Sequence, residues 1–143
     1  MVISQINIFL GNEKGRLAEI TKVISDSGID MRFLCVAETE DFGILRLIAD
    51  RPSEAAEKLK AAGIPAFLTD VVAVRLDDRP GSFHSIVQIL SDADMNVEFM
   101  YVFLGRDSGT AYAVLGLRDP CAAAKLLEEK GIHLAKSSEI YGL

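Results

Sequence analysis

Cysteine and positive charge are both scarce in this chain of 143 residues, and each shortage narrows the possible functions. The only cysteines, Cys35 and Cys121, lie far apart and form no CxxC pair. We therefore expect two reduced packing cysteines in a cytoplasmic protein, and neither a disulfide nor a metal site. The formal net charge of −6 argues against a nucleic-acid backbone or an anionic membrane as a partner.

Long apolar runs and catalytic motifs are also missing. No apolar stretch reaches the ~18–20 residues that span a bilayer, and the first residues do not resemble a signal peptide. The sequence has no GxSxG, Walker-loop, GxGxxG or HExxH motif, and neither His84 nor His133 belongs to a metal-ligand pattern. The strands also lack the basic, aromatic pattern of RNA-binding modules. We expect no enzyme, metal or cofactor here.

The apolar pattern predicts the order β-α-β-β-α-β twice. In the first half it indicates strands at 3–10, 30–37, 43–49 and 66–69, and helices at 17–27 and 52–62. Aligning Gly15 with Gly81 also matches Leu10 with Leu76, Phe33 with Phe99 and, after an insertion between 105 and 109, Gly63-Ile64 with Gly131-Ile132. This shared register indicates an internal duplication, with domains at 1–69 and 70–143.

Each half is predicted to be a ferredoxin-like unit of the α+β class, with four antiparallel strands and both helices on one face. Such a unit has edge strands that need cover. The second strand of each half, at 31–37 and 97–104, is apolar on both faces, unlike a solvated edge. We therefore predict that the two second strands pair and form an eight-stranded sheet. The polar residues Gln5 and Asn7 alternate with isoleucines in the first strand, which predicts a half-buried strand.

The stretch at 72–83 is a β-branched strand, an acidic turn, Pro80-Gly81 and the start of a helix. Glycine adopts backbone angles that other residues avoid, so the chain can turn sharply at Gly81. The first N–H groups of a helix have no intrahelical partner and carry the positive end of its dipole. A carboxylate can be held there without a cationic side chain.

A strand ending in Asp78-Arg79-Pro80-Gly81, followed by a helix and by Asn96 before the next strand, resembles the ACT domain family. The resemblance covers both halves, so the chain looks like a stand-alone tandem ACT protein. It implies that a small molecule, usually an amino acid, binds at the interface between paired domains. It also suggests a homodimer and an enzyme partner. The first half departs from the pattern, with Lys14 in place of the proline and Asp30 in place of the asparagine.

The residues expected to contact the ligand belong to the two glycine turns, the helix starts and the Asp/Asn positions; they are Asn12, Glu13, Lys14, Gly15, Leu17, Asp30, Asp78, Arg79, Pro80, Gly81, Ser82, Phe83 and Asn96. Each has an ordinary alternative. For the glycines the alternative is an ordinary tight turn, for the loop charges it is a solvated surface, and Ser82 is expected to cap its helix. Leu17 and Phe83 are expected in the core, although from a helix start they could line a pocket.

Two functions therefore remain open. The first is a regulatory protein in which backbone N–H groups hold the ligand carboxylate and Asp30 or Asn96 holds its ammonium. The second is an assembly module for an enzyme partner that binds no metabolite, which the apolar second strands favour. The segment at 139–141 continues with a strand-like pattern.

Overall fold

The order of helices and strands repeats once along the chain, as the duplication predicts. The structure is a computed structural model that describes residues 1–11, 13–38, 41–105 and 109–141. Its elements are β1 (Ile3–Leu10), α1 (Arg16–Asp26), β2 (Met31–Glu38), β3 (Gly43–Ala49), α2 (Pro52–Ala61), β4 (Ala66–Asp77), α3 (Ser82–Asp92), β5 (Val97–Leu104), β6 (Thr110–Leu117), α4 (Pro120–Glu129) and α5 (Ser137–Tyr141).

Contacts divide these residues into two compact units. Residues 4–69 form the first unit, and residues 70–143 together with 1–3 form the second unit. In the first unit the strand order is β2-β3-β1-β4, and β3 pairs antiparallel with both β1 and β2. Ile20 of α1 and Leu59 of α2 share one buried core with the inward side chains of β1 and β3. Both helices therefore cover the same face of their sheet.

The second unit repeats this plan with one strand reduced. β6 pairs antiparallel with β4 and with β5, and α3 and α4 share the core of β4 and β6. The place of the last strand is taken by an isolated bridge between Val74 and Leu134. Around this bridge, Arg75 N–H donates to the His133 carbonyl at 2.9 Å and Ala135 N–H donates to the Ala73 carbonyl at 2.8 Å.

The α+β class is confirmed, but the predicted eight-stranded sheet is not found. The described residues form a six-stranded sheet in the order β2-β3-β1-β4-β6-β5. Two strands are lost for two physical reasons. The last strand of the first repeat and the first strand of the second run on without a break as β4, and the last strand of the second repeat shrinks to one bridge. β2 and β5 are not neighbours in this order, so their predicted pairing is wrong.

The segment predicted to be strand-like at 139–141 also differs, because it lies in the short helix α5. Ile140 is its buried residue, and Lys136 carbonyl accepts from the Ile140 N–H at 3.1 Å. Three consecutive residues are too few for their alternation to separate a strand from one helical turn. Among the helices of the described residues, none is long and apolar enough to cross a membrane.

The polar side of β1 is buried, against the prediction of a half-exposed strand. Gln5 is 0% exposed and Asn7 is 4% exposed. The Gln5 side-chain amide donates to Asn7 Oδ1 at 2.7 Å, and the Asn7 amide donates to Thr69 Oγ1 at 2.7 Å. Buried polar groups are stable when they satisfy one another in this way.

Asp94 follows the end of α3 with a φ of 57°, which makes it a non-glycine residue in the left-handed region. The equivalent residue after α1 is Gly28, with a φ of 66°. A side chain in this conformation costs roughly 1 kcal/mol that glycine avoids. We expect Asp94→Gly to raise the free energy of unfolding by about 1 kcal/mol in urea titration.

Asp94→Ala is the matched control for this substitution. Alanine removes the same carboxylate but keeps the backbone strain, so it should give no such gain. An equal gain from both variants would show that the carboxylate, and not the backbone angle, destabilises the wild type.

Candidate functional site

Helices α1 and α3 begin at glycines without a capping side chain. Gly15 (φ 83°) and Gly81 (φ 87°) are the N-cap residues, both in the left-handed conformation, and neither helix start receives a side-chain hydrogen bond. α4 differs, because the Asp119 carboxylate accepts from the Ala122 N–H at 2.9 Å. The two glycine starts therefore leave N–H groups available where α4 uses a carboxylate of its own.

The space beside each of these glycines is open. A Cβ added at Gly15 or Gly81 would meet no atom within 4 Å. In α3, the Ser82 N–H donates to the Arg79 carbonyl at 3.3 Å and the first intrahelical bond reaches the Gly81 carbonyl from Ser85 at 3.1 Å. The N–H groups of Phe83 and His84 lie between these two donors and have no acceptor within the helix. They are the groups that could hold an anion.

Several predicted site residues of the first unit are exposed. Glu13 and Lys14 lie on the surface of the turn, whereas Asn12 lies outside the described residues. Leu17 is 43% exposed, so its predicted place in the core is wrong. It is the second residue of α1 and lies on the same helix face as Ile20 and Ile24, but in the first turn, where the side chain is left exposed. An exposed apolar side chain beside the bare helix start matches the pocket-lining alternative.

The Asp30 carboxylate already has a partner in the first unit. Its Oδ2 lies 3.1 Å from a guanidinium nitrogen of Arg32. Its backbone N–H donates to the Asp50 carboxylate at 3.1 Å, and its carbonyl accepts from the Asp50 N–H at 3.1 Å. The carboxylate and backbone of Asp30 thus fix the start of β2. A ligand ammonium at Asp30 would compete with Arg32.

Backbone hydrogen bonds fix the acidic turn before α3. The Asp78 N–H donates to the Gly109 carbonyl at 3.1 Å, and the Arg79 N–H donates to the Asp77 carbonyl at 2.8 Å. Asp78, Arg79 and Pro80 are all exposed. Ser82 is the first residue of the helix and not its cap, so the predicted capping role is wrong. Glycine at the N-cap position leaves Ser82 inside the first turn.

A cavity of about 450 Å³ lies beside the start of α3, within the second unit. Its walls come from the end of β4, the first turn of α3 and the loop before Leu134, and they consist of Arg75, Asp77, Arg79, Ser82, Ser85, Ile86, Gly131, Ile132 and His133. Phe83 is half-buried and packs against the core behind this wall. We call this cavity the α3 groove.

Asn96 lies at the far end of α3 from the groove. It lines two further cavities of about 300 and 390 Å³, together with Asp94 and Met95. An α-helix rises about 1.5 Å per residue, so the 11 residues of α3 put roughly 16 Å between its two ends. The same holds for Gly15 and Asp30 across α1. Within one unit, the glycine turn and the Asp or Asn position are not brought together.

Seven residues that line the groove were not predicted from the sequence: Arg75, Asp77, Ser85, Ile86, Gly131, Ile132 and His133. His133 reaches the groove because its strand segment bridges to β4, which local patterns do not reveal. Arg75 could have been found from the sequence, because the repeat alignment places it opposite the apolar Phe9. A charge in one copy and a phenyl ring in the other marks a position where the repeats diverged.

The cysteines give no sign of redox or metal chemistry in the part of the chain that the structure describes. Both are free thiols, and no group of three His, Cys, Asp or Glu residues is placed to hold a metal ion there. Burial raises the pKa of the Cys35 thiol, with an opposing effect from the charge of Arg46. A raised pKa keeps more of the thiol protonated and thus less nucleophilic.

Comparison with models of protein families identifies one family for this chain. The model of the ACT domain pair family matches residues 1–115. The crystal structure of a Bacteroides thetaiotaomicron protein is 35% identical over 100% of this chain and 98% of its own, with a TM-score of 0.91. Comparison with curated proteins gives no match.

More distant structures share the fold. The ligand-free regulatory subunit of aspartate kinase from Thermus thermophilus is 17% identical over 88% of this chain and 91% of its own, with a TM-score of 0.61. The corresponding subunit from Thermus flavus is 17% identical over 88% and 90%, with a TM-score of 0.59.

Proposed function

The chain belongs to the ACT domain pair family, and on this basis we propose that it is a regulatory protein that binds a small molecule, most simply an amino acid. The observation that carries the proposal is the bare start of α3 beside a cavity of about 450 Å³. Ligand pockets generally have volumes of roughly 300–1,000 Å³, so a single amino acid would fit. The open start of α1 is a second candidate of the same kind.

The α3 groove offers the opposite charges that a zwitterion needs. The N–H groups of Phe83 and His84, aligned with the helix dipole, would donate hydrogen bonds to the carboxylate. The hydroxyl of Ser82 lines the same space and can donate as well. The Asp77 carboxylate, which also lines the groove and lies 3.4 Å from the Arg79 guanidinium, would share its charge between Arg79 and the ammonium that Asp30 or Asn96 was predicted to hold. The proposal therefore keeps the predicted carboxylate site and moves the ammonium site.

Binding regulates only if the ligand prefers one of two states of the protein. In this proposal the chain catalyses no reaction, and its ligand-bound state acts on an enzyme partner. A homodimer and a cytoplasmic location are parts of the same proposal.

Substituting Gly81 tests the site. Gly81→Ala should weaken binding roughly tenfold, because alanine strains the left-handed turn and disturbs the N–H groups that follow it. The measurement is isothermal titration calorimetry of the whole chain against each of the twenty amino acids. Absence of heat for every amino acid at millimolar concentration would count against the proposed function.

Gly63→Ala is the matched control for this experiment. Gly63 also has a positive φ of 77° and open space around its Cβ position, but it follows the end of α2 and starts no helix. Both variants should lose about 1 kcal/mol of stability, whereas only Gly81→Ala should lose affinity. Equal affinities for the two variants would place the ligand elsewhere.

The assembly-module alternative rests on the exposed side chains of β5. Met100, Val102 and Leu104 are 38%, 45% and 76% exposed on the edge strand of the second unit. Apolar edge strands are sites where another chain can pair. A partner that co-purifies in fixed ratio, together with no response to any amino acid, would favour this function over ligand sensing.

A further inference from the structure

Within the described residues, the α3 groove has one arginine side chain that no neighbouring carboxylate neutralises. The Arg79 guanidinium lies 3.4 Å from the Asp77 carboxylate, and His133 Nε2 lies 3.1 Å from Glu139. Arg75 donates to the Thr110 hydroxyl at 3.3 Å. Among the residues that the structure describes, no carboxylate lies within ion-pair distance of Arg75. Its remaining guanidinium donors are available to a ligand in the groove.

The first unit carries different chemistry at the equivalent positions. The repeat alignment pairs Arg75 with Phe9, Arg79 with Glu13, Ser85 with Glu19 and His133 with Pro65. Phe9 is 51% exposed, and its ring contacts Phe42 edge to face and Phe67 at a tilt, with centroid distances of 5.5 and 5.6 Å. Glu19 pairs with Arg16 at 3.0 Å, so no arginine is left over for a ligand. At the positions of Arg75, Arg79 and His133, the first unit therefore has no basic side chain.

We propose that the α3 groove binds a small molecule with an acidic group in addition to the carboxylate held at the start of α3. Arg75 binds this second acidic group, since a guanidinium donates two parallel hydrogen bonds to a carboxylate or a phosphate. The Ser85 hydroxyl also lines the groove, but it donates its proton to the Gly81 carbonyl at 3.1 Å, so Arg75 is the donor that this inference depends on. The inference rests on the proposed function and specifies its ligand class. An acidic amino acid and a phosphorylated one share this chemistry.

Pairs of ligands that differ only in the second acidic group test this inference. The probes are aspartate with asparagine, glutamate with glutamine, and phosphoserine with serine, titrated into the whole chain by calorimetry. We expect the acidic member of at least one pair to bind roughly tenfold more tightly than its neutral counterpart. The pair with the largest ratio distinguishes a carboxylate from a phosphate.

Arg75→Gln should reduce this ratio to near one without abolishing binding of the neutral member. Arg75→Lys should retain part of the preference, because it keeps the charge and loses the planar fork. The matched control is Lys125→Gln, which removes one positive charge from an exposed site on α4 and should leave the ratio unchanged. Arg75 is exposed, so these variants should fold, and circular dichroism checks this.

The outcomes separate the two proposals. Binding that depends on Gly81 but shows no preference for acidic ligands would overturn the inference and leave the proposed function standing. An acidic preference that survives in Arg75→Gln would overturn the role of Arg75. No binding by any probe would overturn both.

Discussion

Replacing Gly116 by alanine is expected to lower the free energy of unfolding by about 3 kcal/mol, because overpacking a rigid core costs roughly 1–3 kcal/mol or more. A Cβ at Gly116 would lie 2.2–2.6 Å from three ring carbons of Phe99. These residues face each other across β5 and β6. The ring lies directly over the glycine, so the added methyl group must displace it or separate the strands. Urea titration followed by circular dichroism measures the loss.

A second substitution shows whether the Phe99 ring is the cause. Phe99→Leu makes room for the methyl group, so the double variant Gly116→Ala/Phe99→Leu should be more stable than the sum of the single changes predicts. Gly43→Ala is the matched control, since Gly43 also lies in a strand and its added Cβ would make only ordinary contacts, the nearest at 3.4 Å. If Gly116→Ala costs no more than Gly43→Ala, the ring yields freely and the steric explanation is wrong.

Asn7→Leu is expected to destabilise the first unit by about 3 kcal/mol. The change removes the acceptor of the Gln5 side-chain amide in a site where Gln5 is 0% exposed. A buried polar group that loses a hydrogen bond costs roughly 1–3 kcal/mol, and leucine must also fit a site shaped for an amide. Thermal unfolding monitored by circular dichroism measures the effect.

The double variant Gln5→Leu/Asn7→Leu should be more stable than Asn7→Leu alone. Replacing both partners of a buried hydrogen bond by apolar groups can be nearly neutral, whereas removing one leaves the other buried without that hydrogen bond. Thr69→Val serves as a control, because Thr69 is exposed and water can replace the bond it makes to Asn7. A double variant less stable than the single one would show that Gln5 is stabilised mainly by other contacts.

The elements themselves were largely predictable, because each is encoded by its own short pattern. β3 was predicted at 43–49 and is observed as Gly43–Ala49. The absence of a linker between 66 and 76 correctly suggested an uninterrupted run, which the structure shows as β4. Glycines stop or start helices through backbone angles that only they adopt readily, so Gly15 and Gly81 were visible as turn residues.

Features that depend on distant partners were not predictable. The alternation in β1 predicted that Gln5 and Asn7 lie on an exposed face. Their burial involves hydrogen bonds to each other and from Asn7 to Thr69, and a local sequence pattern does not show such partners. The last strand of the second repeat is likewise reduced to one bridge because few residues after Ile132 pair with β4. The glycine turn beside the groove was predicted from the sequence. Arg75 and His133, in contrast, come together only through the bridge between Val74 and Leu134.

The second unit contains residues from two separate parts of the chain, and this affects the order in which the chain can fold during synthesis. Residues 1–3 belong to the second unit, where Val2 packs against the core formed by β4, β6, α3 and α4. These residues leave the ribosome before residues 70–143. Val2 and Ile3 therefore have no core to pack against until the rest of the second unit has been synthesised. The first unit can close as soon as residue 69 is free, but the second closes only around residues made before the whole of the first unit.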